Sequence, residues 1–173
     1  MATLDQEKST IKEAAETLVA FAIDREDLKQ IIGALPRDQN FNTVALDYEL
    51  QLLKMVSVGW SISVFMEGRP EKEALSTLYW QLIHGLSRQI SELSGLTIGQ
   101  EIDYFQVIRE RLDAYLESLT LYGKGQDVAA AIGSAFAERL EDPDNPFVLI
   151  TGSRIFHMAT QGVRAYLVSL TLE

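Results

Sequence analysis

Four polar side chains near the end of the chain have the types and the spacing to bind an anion. At positions i, i+3, i+7 and i+10 they are Arg154, His157, Gln161 and Arg164. On an α-helix this spacing places all four within roughly 80° of one another. Guanidinium groups bind carboxylate or phosphate through paired hydrogen bonds, and an imidazole adds a titratable donor. If the four side chains line a pocket, they predict a site for a small anionic ligand.

The same four residues have two simpler interpretations. Charged side chains are mostly exposed in proteins, so the sequence favours a narrow solvent-facing seam on an otherwise packed helix. Alternatively, Arg154 and Arg164 are buried and pair with carboxylates of a neighbouring helix or of a second subunit, because a buried arginine is normally paired. Asp47 is then a candidate partner within the chain.

A second thin polar stripe crosses the most apolar part of the chain. At positions i, i+4, i+7 and i+14 it contains Asp47, Gln51, Lys54 and Ser61. Its surroundings from residue 52 onward are apolar on most sides of the predicted helix. We interpret it in the same way as the first stripe, with a solvent-facing seam favoured over pairing or ligand binding.

The sequence contains no motif that predicts a metal or a cofactor. His84 and His157 are preceded at i−3 by Gln81 and Arg154, so neither completes the Glu-x-x-His pair of di-iron bundles. Cysteine is absent, which excludes thiolate metal sites and disulfides. Gly123-x-Gly125 lacks the third glycine and the preceding strand of a dinucleotide-binding loop. We therefore predict neither a metal nor a cofactor.

Catalytic residues are not predicted either. The carboxylates of Glu110, Asp113 and Glu117 share a helix face with Arg109 and Arg111, which is typical of a solvated surface. The pair formed by Trp80 and His84 is expected to pack at the edge of a helix seam. No nucleophile or second base stands beside His157, so the sequence does not favour an enzyme.

Hydrophobic periodicity predicts an all-α fold. Helical patterns, bounded by prolines, glycines and polar turns, cover residues 4–23, 24–35, 43–67, 70–93, 97–121, 126–140 and 145–172. No segment alternates as a strand does. Short connections favour antiparallel packing. We predict one domain over residues 1–173, a helical bundle of six or seven helices, four of them with about 20–25 residues. The alanine-rich helix at 126–140 should make a tight helix contact.

Composition and charge narrow the class of protein further. The net charge of −10 opposes binding to nucleic acid. The segment 146–173, with two arginines and one glutamate, is the one net-positive part. The longest apolar run of the whole chain, at 52–66, is too short and too polar to span a membrane. The acidic start of the chain does not resemble a secretory signal, so we expect a cytoplasmic protein that is not integral to a membrane.

Two functional hypotheses follow. We favour a non-enzymatic interaction or assembly protein, acting as a homodimer or as a subunit of a larger complex, because the third and last helices are apolar over more than one face. The alternative is a small-ligand-binding helical domain, with an apolar pocket anchored by Arg154, His157, Gln161 and Arg164.

Overall fold

Seven helices make up most of the part of the chain that the structure describes. The computed structural model describes residues 8–98, 102–121 and 127–172. Its helices are α1 (Ile11–Ile23), α2 (Glu26–Gly33), α3 (Thr43–Phe65), α4 (Lys72–Ile98), α5 (Tyr104–Leu121), α6 (Val128–Arg139) and α7 (Pro146–Ser169). Three have 23 to 27 residues and α5 has 18. The predicted all-α helical bundle of six or seven helices is confirmed. None of the described helices has the length and apolarity to cross a membrane.

The ends of the described chain depart from the predicted helices. Strand β1 (Lys8–Ser9) pairs in parallel with strand β2 (Thr171–Leu172). The prediction of continuous helix was therefore wrong at both places, and residues 4–7 lie outside the described ranges. Helix α1 begins after Thr10, whose backbone is extended and whose hydroxyl accepts from the N–H of Glu13. The Glu13 carboxylate accepts from the N–H of Thr10, which completes a capping box.

Helix α4 also ends later than the sequence indicated. It runs through Gly95 to Ile98, and α5 begins at Tyr104, whereas the sequence predicted an end near residue 93 and a new start at 97. A glycine inside a helix costs only about 1 kcal/mol relative to alanine, so it does not by itself end one. The pattern of small and polar residues at 94–97 was therefore wrongly interpreted as a helix end.

Helix α3 lies at the centre of the fold, as its composition predicted. It packs against α1, α2, α4, α5 and α7, and twelve of its 23 residues are buried. Helix α7 packs on α3 and α6, while α1 packs on α3 and α4. The apolar surface predicted on the third helix is thus largely covered within one chain.

The predicted tight contact of the alanine-rich helix is made between α6 and α7. A Cβ on Gly133 would lie 2.5 Å from the carbonyl oxygen of Leu149, which is backbone that cannot move aside. A Cβ on Gly152 would lie 2.7 Å from the Phe136 ring. The hydroxyl of Ser153 donates to the carbonyl of Ala129 at 2.8 Å. These contacts hold the inner face of α7 close to α6.

Candidate functional site

The opposite face of α7 carries a regular row of exposed side chains, which we name the outer stripe. Its six members are Ile150, Arg154, His157, Gln161, Arg164 and Val168, and all are exposed. Their spacings of four, three, four, three and four residues are those of a heptad seam. The two apolar members, at the ends, are 56% and 80% exposed. The four polar residues singled out from the sequence form the middle of this row.

Helix α7 presents the outer stripe in a fixed orientation because its other faces are buried. Nine of its residues are buried, among them Ile155, Ala159 and Val163. Its start is defined by Asn145, whose side chain accepts from the N–H of Phe147, and by a proline in the first turn. A helix packed in this way can dock a partner without a further ordering step.

The two arginines of the outer stripe are well separated. Ten residues of helix place Arg154 and Arg164 about 15 Å apart along the axis, so they match two separate anionic groups better than one carboxylate. The guanidinium carbon of Arg164 lies 6.0 Å from the centroid of the Phe65 ring, a cation–π contact with the last residue of α3. In the described ranges neither arginine is ion-paired with a carboxylate. The predicted small-anion site stays a prediction.

The polar stripe on α3 is buried at Lys54 and Ser61 and half-buried at Asp47 and Gln51, so its interpretation as a solvent-facing seam was wrong. Lys54 is 2% exposed. Its ammonium donates to the backbone carbonyl of Asp24 at 2.8 Å and lies 3.4 Å from the carboxylate of Asp27. It also lies 4.7 Å from the centroid of the Phe21 ring. A buried cation is stable here because each of these groups compensates for lost water.

Two of the other three residues of this α3 stripe, Gln51 and Asp47, contact the same junction between α1 and α2. The amide of Gln51 donates to the carbonyl of Ala22 at 2.8 Å. Asp47 accepts from Arg25, and not from an arginine of α7 as the sequence suggested. Ser61 is buried and donates to the carbonyl one turn earlier in α3. The stripe thus satisfies carbonyls at the end of α1, which otherwise lack a helical partner.

A buried ion pair joins α3 to α5. The guanidinium of Arg111 donates through Nε to Glu49 at 2.8 Å and through Nη2 to its second oxygen. Glu49 is 7% exposed. The hydrogen bond that Arg111 donates to Glu49 raises the pKa of Arg111, although burial opposes the shift. The prediction that Arg111 lies on the solvated face of α5 was therefore wrong, because a contact between residues 62 positions apart leaves no local signal in the sequence.

Tyr115 lies one turn beyond Arg111 and is 2% exposed. Within the described part of the chain its hydroxyl has no hydrogen-bond partner. Burial, and then the charge of Glu49, raise the pKa of Tyr115 above its ordinary value. Its phenol therefore stays protonated at neutral pH. A guanidinium that is always charged and a phenol that stays neutral do not form an acid–base couple. We therefore interpret Glu49, Arg111 and Tyr115 as a structural cluster that joins α3 to α5.

The other predicted surface features lie where the sequence placed them. Glu110, Asp113 and Glu117 are exposed on α5, as a solvated face requires. His84 is exposed, and its ring centroid lies 4.5 Å from that of Phe105. Together with Trp80, whose ring covers Gly59 so closely that a Cβ there would overlap it, His84 packs at a helix edge.

Among the described residues, the space enclosed by α3, α5, α6 and α7 is too small for a ligand, whereas clefts of about 290 to 490 Å³ open at the surface. A cavity of about 10 Å³ lies between α3, α5, α6 and α7, which is space for about one water molecule. Its lining is formed by Leu53, Val56, Ser57, Trp60, Tyr115, Leu116, Leu119, Ile132 and Phe156. In residues 8–98, 102–121 and 127–172, no three histidine, aspartate or glutamate side chains converge to hold a metal ion.

Comparison with known proteins adds no family to this description. Neither protein-family models nor curated proteins match the sequence, and no solved structure matches the fold. The outer stripe, defined by geometry alone, is the candidate functional site.

Proposed function

We propose that this is a non-enzymatic, cytoplasmic interaction protein that works by associating with another protein chain, as a homodimer or as a subunit of a larger complex. The observation that carries the proposal is the outer stripe: six exposed side chains at heptad spacing on a helix whose other faces are buried. Heptad seams are the surfaces through which helices dock on one another.

The apolar ends of the outer stripe support association. Ile150 and Val168 are 56% and 80% exposed, and full burial of such a side chain yields about 1.5–3 kcal/mol. They lie eighteen residues apart, or about 27 Å along the helix. Two apolar contacts at this distance fix a partner helix along the whole of α7, with the polar residues between them setting its register.

The chemistry of the outer stripe supports binding over catalysis. His157 is exposed, and its neighbours along the stripe are Arg154 and Gln161, neither of which is a base at neutral pH. A general base needs a group within hydrogen-bond reach that it can deprotonate or that orients it. The buried charges of Lys54 and Glu49 are committed to contacts between helices.

The proposal is tested by native mass spectrometry and light scattering of the protein purified gently from its host. We expect a dimer or a hetero-complex at micromolar concentration. The double variant Ile150→Glu and Val168→Glu should dissociate it, while circular dichroism shows an unchanged helix content. Val44→Glu is the matched control, because Val44 is also 80% exposed but lies on α3.

Two results would contradict the proposal. One is a monomer at every concentration, with no partner retained from the host. The other is a complex that loses affinity equally in the α7 double variant and in Val44→Glu, since that outcome would place the interface elsewhere.

A further inference from the structure

We infer that the partner of the outer stripe is an acidic amphipathic helix of another protein, and not a second copy of α7. The inference rests on the proposed function and specifies the chemistry of its partner. It follows from the order of residues along the stripe, which reads apolar, arginine, polar, polar, arginine, apolar.

Pairing of α7 with itself brings like charges together. In an antiparallel pair that aligns the apolar ends, Ile150 faces Val168 of the second copy, and Arg154 faces its Arg164. In a parallel pair each arginine faces its own copy. Both full-length registers therefore contain two layers of arginine against arginine, and like charges in facing layers select against a pairing.

The complementary partner has a defined pattern. Carboxylates ten residues apart would face Arg154 and Arg164 and accept paired hydrogen bonds from each guanidinium. Leucine-like side chains eighteen residues apart would cover Ile150 and Val168. Polar side chains in the two central layers would meet His157 and Gln161. A helix of about 20 residues accommodates all six layers.

Charge distribution directs such a partner to α7. The chain carries 25 acidic and 15 basic residues, and its segment 146–173 is the one with a net positive charge. The exposed face of α5, with Glu110, Asp113 and Glu117, repels an acidic helix. Repulsion from other faces and attraction at one face together give specificity.

The experiment uses the full chain and two labelled helical peptides of 24 residues. The first peptide has glutamate in the two layers facing the arginines and leucine in the two end layers; the second has glutamine in place of glutamate. Fluorescence anisotropy measures the dissociation constant of each. We expect the glutamate peptide to bind at least tenfold more tightly, which corresponds to about 1.4 kcal/mol.

Variants of the protein test whether the binding is at the stripe. Arg154→Gln with Arg164→Gln should remove the preference for the glutamate peptide. Arg154→Glu with Arg164→Glu should transfer the preference to a third peptide, which carries lysine in place of the two glutamates. The matched control is Arg88→Gln with Arg109→Gln, two exposed arginines on α4 and α5, which should leave both dissociation constants unchanged.

Sedimentation of the same variants separates this inference from the proposed function. Under the inference, Arg154→Gln with Arg164→Gln leaves self-association unchanged or strengthens it, because like charges are removed. Equal affinity for the two peptides would overturn the inference. So would a wild-type dimer that this double variant dissociates, although the proposed function would then stand. Absence of any complex that depends on Ile150 and Val168 would overturn both.

Discussion

Arg111→Met should destabilise the fold strongly, because it strands a buried carboxylate. Glu49 is 7% exposed, and both of its oxygens accept from Arg111. Removing one partner of a buried ion pair costs about 3–5 kcal/mol. The Arg111 side chain is 14% exposed, so water reaches the edge of the site and the lower end applies. With a urea dependence of about 2 kcal/mol per molar, the unfolding midpoint should fall by about 1.5 M.

The double variant Glu49→Leu with Arg111→Met decides whether stranded charge is the cause. Replacing both members of a buried pair by apolar residues of similar volume is close to neutral. We therefore expect the double variant to recover most of the stability, with a coupling energy of about 3 kcal/mol between the two sites. Arg109→Met, on the exposed side of α5, should change stability by less than about 0.5 kcal/mol. Additive single losses, or an Arg111→Met cost below about 1 kcal/mol, would refute the reasoning.

Three further predictions concern helix packing, capping and pH. Gly133→Ala should lower the free energy of unfolding, measured by urea titration, by about 1–3 kcal/mol because the new Cβ meets the backbone of α7. Gly85→Ala, at a position with open space around it, should raise the free energy of unfolding by about 0.5–1 kcal/mol. Equal effects of the two substitutions would contradict the close contact at Gly133. Thr10→Ala should cost about 1 kcal/mol by loss of the capping box, and Thr17→Ala, exposed within α1, should cost nothing by the same measurement. Burial raises the pKa of Tyr79 well above its ordinary value of 10. Above pH 10 the unfolded chain therefore loses this proton while the folded chain keeps it, and the free energy of unfolding falls by about 1.4 kcal/mol per pH unit. Tyr79→Phe should reduce that slope, and an unchanged slope would exclude Tyr79 as its source.

Local patterns in the sequence predicted the helices well. The central position of α3 and the close helix contact of the alanine-rich α6 both follow from the spacing and size of side chains within one helix, although the sequence did not identify α7 as the partner of α6. The end of α1 at Ile23 was also predicted. The start at Thr10 was missed although its signal is local, since threonine followed three residues later by Glu13 is the signature of a capping box.

Contacts between distant residues could not be predicted in the same way. Lys54 and Arg154 both stand in thin polar stripes on apolar helices, yet one is buried and the other exposed. The difference arises because α3 is enclosed by five helices, whereas one face of α7 meets solvent. The membership of Ile150 and Val168 in the outer stripe was readable from spacing, but their apolar character suggested burial. Sequence periodicity shows which side of a helix is polar, but it does not show whether another helix or solvent lies against that side.

The short strand pair has a consequence for the order of folding. Lys8 pairs with Thr171, a separation of 163 positions in a chain of 173. Closing a loop of that length from an open chain costs about 4–5 kcal/mol of entropy, more than two residues of backbone pairing return. Once Phe21 rests on Gly162, α1 and α7 are already neighbours and the closure costs little. The strand pair therefore cannot begin folding; it forms on a finished bundle, and its amide protons report whether that bundle is intact.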